Sequence, residues 1–406
     1  MSEVGAVREL ATRFDPARLE ADFYHNPYPT YAALREYAPV LQCADGSFFL
    51  SRYADLDRIY RDRTSFSSDK REAFAPKFGT DSALYAHHTT SLVFNDAPYH
   101  TRVRRQILGA LTPAVLKHME PGIIKLVDDL LSRLEGRARV DLIEEFAAAI
   151  PVEVIGNLLR VPREERGPLR GWSLAILGAL ESTITQEQRV AGNRAVEEFS
   201  DYLRGLVHER RRHPLDDSDL LTRLLHADDL SEWELMQNCV FLLNAGHETT
   251  THLVGNALHL LMTHPHALRQ LRAEPELIGS TVEECLRYES PNQLGNRLVV
   301  TPVSIGGRTL EPGAYLTLCI GSANRDPEEF PNAERFDITR KPNRHLAFAA
   351  GGHACAGMSV ARLEAQIAVL RFAQRFARME PAGDPKRGAR ARFRGLQSLP
   401  ATVASH

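Results

Sequence analysis

Residues 345–357 read HLAFAAGGHACAG, and an amphipathic stretch, SVARLEAQIAVLRFAQRF, follows at 359–376. Cys355 therefore sits just ahead of a predicted helix, whose free N–H groups and dipole stabilise a thiolate. His353 is placed to add positive charge beside it. Gly351, Gly352 and Gly357 permit tight turns and a close approach of the backbone to a flat ligand. A free cysteine is most often a small core hydrophobe. The glycine density around this one shifts the reading toward a metal-ligating or a nucleophilic thiolate. A nucleophile wants a histidine partner and an oxyanion hole. His353 is at hand, but no third residue orients it.

Working outward, Ser231 to Met262 carries helical periodicity, with Ser231 as N-cap and Glu232 and Glu234 at the positive end of the dipole. Its middle, Asn244-Ala245-Gly246-His247-Glu248-Thr249-Thr250-Thr251, is a poor helix former. Glycine costs about 1 kcal/mol there, and threonine hydroxyls compete for backbone carbonyls. Such a conflict predicts a functional distortion in which Ala245, Glu248 and Thr249 border one spot. The rival is an ordinary core helix with a glycine for close packing. A zinc-protease helix is excluded, because His247 and His252 are five apart, which puts them roughly 140° apart around the axis.

Helical patterns also cover Pro113–Leu134, Arg189–Arg212 and Ser359–Phe376. Val40–Leu50 reads as a hairpin around Asp45-Gly46, and Leu298–Ile320 as short strands broken at Gly306-Gly307 and Glu311–Gly313. The basic stretch Lys386–Arg394 reads as a solvated surface loop. The chain has 406 residues, with net charge −3, 25% charged and 43% hydrophobic residues. That balance fits a globular protein and excludes a disordered chain or a dedicated nucleic-acid binder. Five widely spaced cysteines (Cys43, Cys239, Cys285, Cys319, Cys355) with no C-x-x-C argue against a disulfide framework or structural zinc. No apolar run reaches signal-peptide or membrane-span length. A cytoplasmic protein with no membrane anchor is expected.

At this point the sequence resembles the cytochrome P450 family of haem-thiolate monooxygenases. Phe348, Gly351, His353, Cys355 and Gly357 match its F-x-x-G-x-H-x-C-x-G loop. Ala245–Thr249 (AGHET) match its A-G-x-[DE]-T stretch, and Glu284-Cys285-Leu286-Arg287 its E-x-x-R. The three occur in the family's order and spacing. Asp96–Arg104 resembles its D-P-P-x-H-x-x-x-R segment, with Ala97 in place of the first proline. Ala349 departs from the glycine many relatives carry.

The resemblance implies a mainly α fold with small β-sheets, a single large P450-type domain over residues 26–406 behind an N-terminal extension, 1–25, and a long central helix over the haem. It implies haem b with Cys355 as axial iron ligand, and His100, Arg104, Arg297 and His353 as propionate partners. Ala245, Gly246, Phe348 and Gly357 would lie against the macrocycle. Glu248 and Thr249 would deliver protons during dioxygen activation. Glu284, Arg287 and Arg335 would form a buried ion-pair cluster. With no flavin, nucleotide or iron–sulfur motif, electrons would come from a separate ferredoxin and its reductase, with Arg102, Arg105 and Arg362 as candidate docking charges. The substrate would be a small, largely apolar organic molecule, held by Phe74–Phe94, Ser173–Thr185 and Asn292–Leu294. A peroxide-driven peroxygenase and a non-catalytic haem binder are the alternatives.

Overall fold

The computed structural model describes residues 3–181, 183–215, 219–226 and 230–405. Helices dominate, and the longest, Glu232–Thr263, runs through the centre. Its start is fixed locally: Ser231 Oγ accepts the N–H of Glu234, and the Glu234 carboxylate accepts the N–H of Ser231. Its two ends belong to different cores. Leu235 to Leu243 pack with Phe199, Leu203 and Ile176. Leu253 to Met262 pack with Phe146, Phe372 and Leu286. The polar stretch Asn244–Thr251 lies at the junction, in neither cluster.

The expected distortion does not appear as a break. The helix is continuous, and the Thr249 and Thr251 hydroxyls donate to the carbonyls of Ala245 and His247, 2.7 and 3.0 Å away. Tertiary packing on both sides outweighs the weak local propensity.

The remaining predicted elements form close to their expected bounds. Pro113–Leu134 is one helix, and Gln186–Arg212 and Met358–Arg375 are two more. Val40–Gln42 and Phe48–Leu50 pair antiparallel across a turn in which Gly46 takes φ +83°, a region glycine enters freely. They edge a five-stranded sheet completed by Tyr315–Cys319, Leu294–Val299 and Phe66–Ser67. Phe48–Leu50 runs parallel to Tyr315–Cys319, and the other pairings are antiparallel. This sheet places Arg297 opposite Leu316 and, with the helix Tyr53–Arg61, forms one wall beside the Cys355 loop.

Within residues 1–25, Phe14 packs edge-on against Phe49 at 4.9 Å, and Ala11 is buried. No helix among the described residues is long and apolar enough to cross a membrane.

Two sequence expectations need correction. Glu284 and Arg287 are both fully buried and doubly hydrogen-bonded at 2.8 Å. The third arginine is Arg340, whose Nε lies 3.2 Å from Glu284, whereas Arg335 is exposed and lends only its backbone carbonyl to Arg287. The chain turns between them so that the later side chain reaches inward. The basic stretch Lys386–Arg394 is not a solvated loop either. Arg394 is buried on Glu289, Arg387 pairs with the same carboxylate at 3.4 Å, and Arg390 lies against Glu181 and Glu248. Its charges are absorbed by acids from three other parts of the chain.

Candidate active site

One cavity opens at the junction of the two cores. Its floor is the loop Ala347–Gly357 with the start of the following helix, and its roof is Phe241, Leu242, Ala245, Gly246, Thr249, Thr250 and Leu253 of the central helix. Cys355 and Thr249 therefore face the same space from opposite sides. The loop is held by the Cys355 N–H donating to the Phe348 carbonyl at 2.9 Å. Gly351, at φ +67°, brings the backbone so close to Tyr60 that a Cβ would collide with its carbonyl. Ala349 sits at φ +55°, a left-handed conformation that costs a residue with a Cβ about 1–2 kcal/mol.

The surface Cys355 exposes faces the cavity. Burial is the larger influence and raises its thiol above the ordinary value. The Gly357 N–H, Arg104 and Arg362 pull in the other direction. The predicted helix-end N–H is thus present. The predicted positive charge on His353 is not. Burial, then Arg297, His100 and Arg104, depress its pKa to about 2, and burial and Arg104 hold His100 near 4. The two imidazoles stack at 3.8 Å. His100 Nε2 and His353 Nδ1 are buried with no hydrogen-bond partner.

Arg104 and Arg297 line the cavity beside them. Asp96 is the acid at this edge, 3.9 Å from His353, and it is already engaged by Ser67 and Ser68. So the structure gathers His100, Arg104, Arg297 and His353 at one edge of the cavity, with two arginine charges and two imidazole nitrogens that have no partner. That donor set fits a flat apolar group bearing two carboxylates, and haem b is such a group.

Gly246 lines the roof, but its missing side chain serves helix packing. A Cβ there would lie 2.6 Å from Ile155 Cδ1. Glu248 is displaced from the expectation. It is buried behind the roof and does not line the cavity. Burial favours its neutral form, yet His252 and Arg390 outweigh this and keep its pKa below the usual carboxylate value. Arg390 was missed because its sequence neighbourhood reads as surface. Lys70 was missed too: it is buried, its ammonium lies 4.7 Å from the Tyr315 ring centre, and it lines the cavity.

Of the segments expected to hold substrate, Leu92–Phe94, Leu177, Leu180, Asn292 and Leu294 reach the cavity. Phe74 instead packs away from it, against Phe78 and His88. Of the candidate docking arginines, Arg102 is paired with Glu234 and Arg362 is bonded through two nitrogens to Glu283 at 2.7 and 2.8 Å, so neither is a free charge. Among the described residues no cluster of three or more His, Cys, Asp or Glu side chains could hold a metal ion.

Comparison with known proteins shows the family and the fold. Residues 177–396 match the family described as Cytochrome P450. A curated relative from Bacillus subtilis (strain 168), "Biotin biosynthesis cytochrome P450", is 36% identical over 395 residues, covering 94% of this chain and 97% of its own. "Vitamin D(3) 25-hydroxylase" from Pseudonocardia autotrophica is 37% identical over 363 residues and 87% of each chain. The crystal structure of P450BioI in complex with an acyl carrier protein bearing hexadec-9Z-enoic acid superposes with a TM-score of 0.90 at 35% identity. It covers 95% of this chain and 100% of that one.

Proposed function

The chain belongs to the cytochrome P450 family, and we propose that Cys355, Thr249 and Glu248 carry the family's chemistry in it. It is a haem-thiolate monooxygenase that activates dioxygen and oxidises a small organic substrate at haem b held by a cysteine thiolate. The observation that carries the residue assignment is the opposition of Cys355 and Thr249 across one cavity whose edge is cationic and unsatisfied. When bound, haem supplies the redox and oxygen chemistry, with the thiolate increasing electron density on the iron.

The rest falls to the chain. Arg104 and Arg297 would hold the propionates by charge-assisted hydrogen bonds, and His100 and His353 would supply neutral donors beside them. The Thr249 hydroxyl donates to the Ala245 carbonyl, and both residues line the cavity. Glu248, behind it, takes up protons and hands them on as an acid–base relay. Leu177, Leu180, Phe94 and Phe241 exclude water and hold an apolar substrate, with Asn292 as a polar anchor.

A cytoplasmic site of action belongs to the same reading, supported by five unpaired cysteines. So does electron supply by a separate ferredoxin, supported by the lack of any flavin or iron–sulfur motif in the sequence. The test is the reduced protein under carbon monoxide. The wild type gives the long-wavelength Soret band of thiolate ligation and Cys355→Ala loses it. A variant that kept the band would assign the ligand elsewhere.

A further inference from the structure

Glu248 is the proton relay of the reading above, yet it is cut off from both solvent and cavity. Its side chain is 3% exposed, against 12% for His252 one helical turn later. His252 Nε2 lies 3.5 Å from Glu248 Oε1, the same oxygen that Arg390 Nη1 engages, while Oε2 has no partner. The imidazole is seated by the chain opposite. A Cβ at Gly395 would fall inside contact distance of the ring, so only glycine lets this segment cross over His252.

We infer that His252 is the residue through which protons enter Glu248, with Arg390 holding the carboxylate in line to receive them. This rests on the assignment of Glu248 as proton relay. His252 acts through Glu248 and touches neither substrate nor haem. In the step, imidazolium gives its Nε2 proton to Oε1, leaving neutral imidazole and a carboxylic acid. The acid passes a proton toward Thr249, and the imidazole takes the next one from water. Charge and protons balance and no electrons move. His252 and Arg390 outweigh burial and keep Glu248 ionised in the resting protein, so the carboxylate holds no proton until one is delivered to it. The charged and titratable groups around the pair are His247 on the same helix, Arg390 on the crossing segment, and Glu181 behind Arg390.

The experiment uses the haem-loaded protein with a ferredoxin, its reductase and dioxygen, and no organic substrate. Hydrogen peroxide released per dioxygen consumed is followed from about pH 5 to 8, where an imidazole changes charge, in H2O and D2O. His252→Gln retains a donor and the shape but cannot carry a proton. It should flatten the pH dependence, increase the solvent isotope effect and raise the peroxide share severalfold, with the carbon monoxide band unchanged. Gly395→Ala, whose backbone φ suits alanine, should displace the ring and do the same. Arg390→Lys, which keeps the charge, should retain most of the wild-type profile. A wild-type pH profile and isotope effect in His252→Gln, with Glu248→Gln still impaired, would overturn the inference alone. If Glu248→Gln were also unimpaired, the assignment of Glu248 would fall with it.

Discussion

Two buried glutamates, each beside an arginine, have opposite characters. Glu284 has both oxygens saturated. Arg287 bonds each of them, Arg340 lies within 3.3 Å, and the Asp337 N–H and Asn343 amide complete the shell. Arg287 spends its remaining donors on the carbonyls of Asn324, Ala333 and Arg335. Glu248 shares one oxygen between Arg390 and His252, while its other oxygen and Arg390 Nη2 have no partner. A saturated buried pair has one low-energy arrangement and fixes structure. A half-satisfied one leaves an acceptor free, which a structural pair has no use for and a proton carrier requires. The difference is the one expected if Glu284 is scaffold and Glu248 takes the role proposed for it.

The comparison can be broken most severely at the saturated pair. Glu284→Ala leaves Arg287 charged and buried without a carboxylate. It should cost about 3–5 kcal/mol of stability, read by denaturant unfolding, since the loss of one partner exposes the full desolvation penalty. A loss below 1 kcal/mol would show that the pair is not structural. Glu248→Gln should do the reverse. Unfolding should shift by no more than about 1 kcal/mol, while proton-limited turnover falls roughly 10²-fold, the low end for a general acid. Equal losses in both variants' stability would erase the distinction.

The third arginine sharpens it further. Arg340→Ala should cost about 1.5–3 kcal/mol, as hydrogen bonds to a charged group do, and Arg335→Ala no more than about 0.5 kcal/mol. The opposite order would restore Arg335 to the cluster.

A smaller effect tests the C-terminal segment. Burial alone would raise the Glu289 pKa, but Arg394, Arg387 and Arg325 overcome it and hold it at about 2, below its ordinary 4.5. A depressed carboxylate stabilises the fold above the unfolded-state value, and that contribution is lost as pH falls from about 4.5 toward 2. Glu289→Gln should flatten the decline of stability in that acid range. An unchanged slope would mean that other carboxylates govern acid unfolding.

Much of the molecule was legible beforehand because its signals are local. Asp45-Gly46 encodes a turn, Ser231 with Glu234 encodes a helix start, and the glycines around Cys355 encode a tight loop ahead of a helix. Glu248 was identified as an acid in the right helix, but its position behind the roof was not. The periodicity of a helix buried on all sides does not say which face meets a cavity. Lys386–Arg394 misled because a run of basic residues looks the same whether water or distant carboxylates neutralise it.

The sequence by itself determined the mainly helical fold, the cysteine ahead of a helix and the acid–alcohol pair in the central one. These rest on hydrogen bonds and periodicities within a few residues. Only the tertiary structure decided which arginine closes each buried cluster: Arg340 for Glu284, and Arg390 for Glu248 across 142 residues of chain. Burial strips water from a carboxylate and makes a counter-charge obligatory, but that requirement selects a partner by proximity in space, which no local pattern records.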